Sequence, residues 1–139
     1  MAQTVADVMT ANPVTVESED TAAEAAMRMA ANDAGDVIVL ANGKVCGIVT
    51  DRDIAIRLVA QGLPSSTQVS EIVSDSDVLT VDRDMALDQA IELMRAKGVR
   101  RLPVVQGGSA IGVLSLGDIA IERDPQSAVA DISAARGNT

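Results

Sequence analysis

Residues 15–56 and 80–121 are two copies of one pattern. A shift of 65 residues lays Thr15–Ile56 over Thr80–Ile121 without a gap, and about 12 of the 42 positions are identical. Thr15-Val16 falls on Thr80-Val81, Met29 on Met94, Gly43 on Gly108, and Asp53-Ile54-Ala55-Ile56 on Asp118-Ile119-Ala120-Ile121. Landmarks that stay in register through helix, strand and turn mark a duplicated folding unit.

Each copy carries the same succession of elements. A short amphipathic turn (Val5–Met9; Val69–Val73) leads to a brief strand (Val14–Val16; Val78–Val81). A helix follows, its apolar spacing clearest at Leu87, Ala90, Ile91 and Met94. Two strands come next, Val37–Leu40 with Lys44–Val49 and Leu102–Val105 with Ala110–Leu114, joined by the turn residues Asn42-Gly43 and Gly107-Gly108. A second helix begins at Asp51 or Leu116, running through Ala60 in the first copy and ending at Pro125 in the second. The pattern predicts repeats over 4–61 and 68–123, a linker over 62–67, and a tail over 124–139 with a helix at Ser127–Ala135. One copy cannot cover both faces of so small a sheet. The fold expected is therefore α/β (α+β): two βαββα repeats packed sheet to sheet, helices outside, about a pseudo-two-fold axis.

Composition narrows the function. The chain of 139 residues is 47% apolar yet lacks Phe, Tyr and Trp, so Val, Ile, Leu, Met and Ala build the core. Any bound ring would lie between aliphatic side chains. A formal charge of −9 argues against nucleic acid and anionic membranes as partners. The absence of histidine removes the common nucleophile–base systems and the commonest metal ligand. Cys46 is the single cysteine, so neither a disulfide nor a Cys-rich metal cage forms within the chain. No nucleophile–base pair, metal cluster or Gly-rich phosphate loop appears, and the chain reads as non-catalytic. The start, MAQTVADVMT, is not a secretory signal, and a reduced, cytoplasmic setting is expected.

Several residues have structural readings. Cys46 aligns with Ile111 inside a strand and reads as a small apolar residue. Met27, Met29, Met85 and Met94 read as core or interface filler. Gly47 and Gly112 read as bulge or close-approach positions. The acidic run Glu17–Asp20 reads as a helix start. Ile54, Ala55, Ile56, Leu58 and Val59 cover more than one helical face and call for a cover beyond their own sheet. With Ala22, Ala23, Ala25 and Ala26 on the first helix, they point to a homodimer.

The residues Gly-Ile-Val-Thr-Asp-Arg-Asp (47–53), Gly-Val-Leu-Ser-Leu-Gly-Asp (112–118) and Val-Arg-Arg-Leu-Pro-Val (99–104) resemble cystathionine-β-synthase (CBS) domains. So do the entry strands Pro-Val-Thr-Val (13–16) and Val-Leu-Thr-Val (78–81). The resemblance covers residues 4–123 and implies a stand-alone tandem pair, or Bateman module. It also implies an adenosyl ligand: AMP, ADP, ATP or S-adenosylmethionine.

Thr50 and Ser115 stand where a strand hands over to a helix, and exposed N–H groups there favour an anion. Asp53 and Asp118, three residues on, could accept both hydrogen bonds of a ribose diol. The same Thr/Ser-x-x-Asp spacing is also that of a purely structural capping box, with Asp for Glu or Gln. The resemblance implies that each site draws its box from one copy and its neighbouring strands from the other. Site 1 is then Thr50, Arg52 and Asp53 with Leu79, Thr80, Val99, Arg100 and Arg101. Site 2 is Ser115 and Asp118 with Thr15, Val16, Gly35, Asp36 and Val37. Arg95, Lys97, Arg100 and Arg101 form a basic stretch suited to phosphate, or one that offsets nearby carboxylates. Asp36 occupies the place of Arg101 and would repel phosphate, so site 1 is expected to take the anionic nucleotide. Two functions stay open: a regulatory module that senses the nucleotide and signals through its dimer or a partner protein, and an interaction module with no nucleotide.

Overall fold

A computed structural model of the chain describes residues 3–73 and 79–123. It has two compact units, one of Val14–Val78 and one of Met1–Pro13 with Leu79–Thr139. The elements run α1 (Val5–Val8), β1 (Thr10–Ala11), β2 (Thr15–Glu17), α2 (Ala22–Asn32), β3 (Asp36–Ala41), β4 (Lys44–Thr50) and α3 (Asp51–Asp53). They continue with β5 (Val81–Asp82), α4 (Leu87–Lys97), β6 (Arg101–Gln106), β7 (Ser109–Ser115) and α5 (Leu116–Arg123). The mixed α/β class with two sheets and helices follows the sequence expectation. The helix expected at Ser127–Ala135, its boundary at Pro125, and Val78 lie outside the described residues.

In the Val14–Val78 unit, β2 pairs in parallel with β3 and β3 antiparallel with β4. The α2 crossover joins the parallel pair, as a parallel connection requires. Thr21 caps α2 by accepting the Glu24 N–H at 3.1 Å. Asp33 closes it at φ 51°, a left-handed position that Asp tolerates. The acidic run sits before this helix rather than in it. Glu17 ends β2, and Asp20 Oδ2 accepts the Glu17 N–H at 2.9 Å, so the carboxylate closes a turn. The core joins Val16, Ala22, Ala25, Met29, Val37, Val39, Val49, Leu58, Val69 and Ile72. The 62–67 segment is tied to this unit: the Ala22 N–H donates to Thr67 O at 2.8 Å and the Ala23 N–H to Ser65 O at 3.0 Å.

The second unit has strand order β1-β7-β6-β5, with β5 and β6 parallel across α4. Gly98, at φ 64°, ends α4, and Arg95 and Lys97 occupy its last turn, where cations suit the helix dipole. Val5, Val81, Leu87, Ala90, Met94, Leu102, Val104, Leu114 and Ile119 form the core. The repeats at 4–61 and 68–123 and the compact units thus do not coincide. Val5–Val8 belongs with the strands of the second copy, and Val69–Ile72 with those of the first.

Both hairpins shift register opposite their glycines, between Val39 and Leu40 and between Val104 and Val105. At both glycines another segment comes close. A Cβ on Gly47 would stand 2.5 Å from Val73 Cγ2, and one on Gly112 would stand 2.6 Å from Met9 Sδ. Met29 and Met94 are core residues, while Met27 is exposed. Cys46 is half-buried against the first core, and burial raises its thiol pKa above the usual range, with Glu17 adding to the rise.

The helix expected from Asp51 through Ala60 is α-helical only to Asp53 and then widens into a π-helical segment, Ile54–Val59. The Ala60 N–H reaches Ala55 O at 2.9 Å and the Leu63 N–H reaches Leu58 O at 3.0 Å. This winding buries Leu58 and leaves Ile56 50% and Val59 68% exposed. No helix among the described residues is long and apolar enough to cross a membrane.

Candidate functional site

Strand β4 delivers Thr50 to the mouth of α3, and the Thr-x-x-Asp spacing closes on itself. The Asp53 N–H donates to Thr50 Oγ1 at 3.1 Å, and the Thr50 N–H donates to Asp53 Oδ2 at 2.9 Å. Strand β7 does the same for Ser115: the Asp118 N–H donates to Ser115 Oγ at 3.0 Å and the Ser115 N–H to Asp118 Oδ2 at 3.2 Å. Both are capping boxes, so the structural half of the expectation holds at each. Thr4 and Asp7 make a further box at α1.

The neighbouring strand in each unit extends the box. The Asp51 N–H donates to Gly35 O at 3.0 Å, and Asp36 stands opposite Thr50 in the β3–β4 ladder. Val37 pairs with Val49, and Thr15 and Val16 lie one strand further, opposite Ile38 and Val39. In the other unit the Leu116 N–H donates to Arg100 O at 2.9 Å, and Arg101 stands opposite Ser115. Val99 and Leu79 pack against that unit's core, and Thr80 leads into β5.

Each unit therefore brings together one box and strand residues named for the other site. Thr50 and Asp53 share a unit with Thr15, Val16, Gly35, Asp36 and Val37. Ser115 and Asp118 share one with Leu79, Thr80, Val99, Arg100 and Arg101. Arg52 is exposed beside Asp53.

Two further side chains touch the boxes. Arg57 Nε lies 3.6 Å from Asp53 Oδ1, and the Asp53 side chain is 20% exposed. Its signal was present in the sequence, since a carboxylate four residues before an arginine on a helix is a favoured pair. Thr10 Oγ1 donates to Asp118 Oδ1 at 3.2 Å and Oδ2 at 3.3 Å. No spacing in the sequence announces a contact between residues 108 apart; the β1–β7 pairing creates it. By the repeat shift Arg57 corresponds to Glu122. The first box thus has a cation at the fourth position where the second has an anion.

A hydroxyl, a carboxylate and the first N–H groups of a helix can recognise sugar hydroxyls and anionic oxygens. No group of three His, Cys, Asp or Glu side chains able to hold a metal ion occurs among the described residues.

The CBS domain family model matches residues 5–60 and 69–123. The CBS domain-containing protein YhcV of Bacillus subtilis is 38% identical over 119 residues, 86% of this chain and 84% of that protein. Among solved structures, the CBS domain protein PAE2072 from Pyrobaculum aerophilum, complexed with AMP, superposes with TM-score 0.78 at 29% identity, covering 87% of this chain and 93% of that one. A protein with CBS domains from Burkholderia ambifaria gives 0.77 at 32% identity, covering 90% and 96%.

Proposed function

Because this chain belongs to the CBS-domain family, a family of regulatory modules, with one copy over residues 5–60 and another over 69–123, we propose that it binds an adenine nucleotide at the Thr50–Asp53 mouth and regulates a partner. The observation that carries this reading is the paired hydroxyl and carboxylate of Thr50 and Asp53 at the strand-to-helix junction. The AMP complex of PAE2072 supports the ligand class. Asp53 would take the ribose diol, the Thr50 region the phosphate. Arg52, Leu79, Thr80, Val99, Arg100 and Arg101 are the residues proposed to complete the site.

Titrating the chain with AMP, ADP, ATP and S-adenosylmethionine by calorimetry tests this. A phosphate-bearing nucleotide is expected to bind. Asp53→Ala and Arg101→Ala should each weaken that binding at least about tenfold, the loss of one charged hydrogen-bond partner. Asp118→Ala should leave most of it. Absence of heat with every ligand would instead favour an interaction module without nucleotide, and loss on Asp118→Ala alone would reverse the assignment of sites.

The signal is proposed to pass through a homodimer. Ile56, Val59 and Leu63 are exposed apolar side chains on and just after the π-helical segment that follows the box. Light scattering at high micromolar concentration should give twice the mass of 14.3 kDa, and Val59→Glu should return it to the single-chain value. A wild-type monomer at that concentration would rule this out.

A further inference from the structure

The two boxes leave their carboxylates with unequal capacity to accept hydrogen bonds. An ionised carboxylate offers roughly four lone-pair positions. At Asp53, Oδ2 accepts the Thr50 N–H. Oδ1 faces Arg57 Nε at 3.6 Å, an ionic attraction too long to be a hydrogen bond. At Asp118, Oδ2 accepts the Ser115 N–H, and the Thr10 hydroxyl points between both oxygens at 3.2 and 3.3 Å. Thr10 thus offers Asp118 the same donor that a sugar hydroxyl would offer. Its position is fixed by backbone, because Thr10 pairs with Val113 and Ala11 with Gly112 where β1 joins β7. A donor held in the chain acts at high effective concentration against one that arrives from solution.

We propose that Thr10 is an internal competitor that closes the Ser115–Asp118 box to sugar hydroxyls and confines nucleotide to the Thr50–Asp53 box. This rests on the nucleotide-binding reading above, and it adds a reason for inequality that lies wholly within one unit. Thr10 is exposed, so replacing its hydroxyl by a methyl leaves the core intact and suits a strand.

The test is AMP calorimetry on the full chain as wild type, Thr10→Val and Thr10→Ser. Wild type is expected to bind one AMP per chain. Thr10→Val should bind a second, with affinity at the weaker box raised at least about tenfold, the worth of one hydrogen bond to a charged group. Thr10→Ser should behave as wild type. Asp118→Asn added to Thr10→Val should remove the second event and spare the first. If wild type binds one AMP and Thr10→Val also binds one at unchanged affinity, the competitor role is overturned while the nucleotide reading stands. If neither chain binds AMP, ADP or ATP, both are overturned. A second event that persists in the Asp118→Asn double variant places it elsewhere and equally overturns the role of Thr10.

Discussion

Gly47→Ala is expected to lower the free energy of unfolding by about 1–3 kcal/mol, the usual cost of overpacking, and Val73→Ala in the same chain to return most of that loss. Gly47 lies in β4 with a backbone conformation open to any L-residue, so the loss is one of packing and not of φ. The added Cβ would stand 2.5 Å from Val73 Cγ2, and its other close neighbour, Val73 Cβ, is at 3.9 Å. Trimming Val73 removes the clash entirely. The matching glycine behaves differently. A Cβ on Gly112 meets Met9 Sδ at 2.6 Å and also Thr10 O at 2.8 Å. Met9 can swing away, but Thr10 O belongs to a strand paired with β7. Met9→Ala should therefore fail to rescue Gly112→Ala. Urea unfolding of the two double-mutant cycles reads this directly as coupling energies. Equal rescue at both glycines would show that backbone approach does not distinguish them, and no rescue at Gly47 would remove Val73 as the cause.

What the sequence made legible follows from how much each feature depends on local pattern. The hairpins rest on Asn42-Gly43 and Gly107-Gly108, whose positive φ values are what those residue types supply. The bulge glycines declared themselves because Gly47 and Gly112 interrupt otherwise apolar strands in both copies. The boxes were legible for the same reason: capping is an i to i+3 relation. The π-helical winding was not, because Ile54-Ala55-Ile56-Arg57-Leu58-Val59 is apolar on several faces and carries no period to separate 3.6 residues per turn from a wider one. Thr10 beside Asp118 is a contact between distant residues that only strand pairing produces. The unit boundaries were hidden more deeply. The leading turns Val5–Met9 and Val69–Val73 share one apolar spacing, so the pattern alone suits either turn to either copy.

That last ambiguity yields the prediction with the greatest reach: Val5→Asp should cost about 3–5 kcal/mol, as an uncompensated buried charge does, and the damage should fall on strands of the second copy. Val5 is fully buried in the core with Leu87, Leu102 and Leu114. Its N–H donates to Met85 O at 2.9 Å, the Ala6 N–H to Arg83 O at 3.0 Å, and the Leu87 N–H to Gln3 O at 2.9 Å. The turn is thus stitched to the entrance of α4 on both sides. Val69 holds the reciprocal place: fully buried with Val37, Val39 and Val49, its N–H donates to Asp20 O at 2.8 Å. Amide hydrogen exchange resolves such local openings. In Val5→Asp the amides of Leu102, Val104 and Leu114 should lose more protection than those of Val37, Val39 and Val49. In Val69→Asp the order should invert, although Val69 lies at the start of the second copy in the chain. If each substitution instead unprotects the strands that follow it directly in sequence, the leading turns stay with their own copies and the exchange is refuted. The physical ground for expecting inversion is that a short turn gains its stability from the apolar surface it covers. Val5 shares its core with Leu87 and Leu102, and Val69 shares its own with Val37 and Val39.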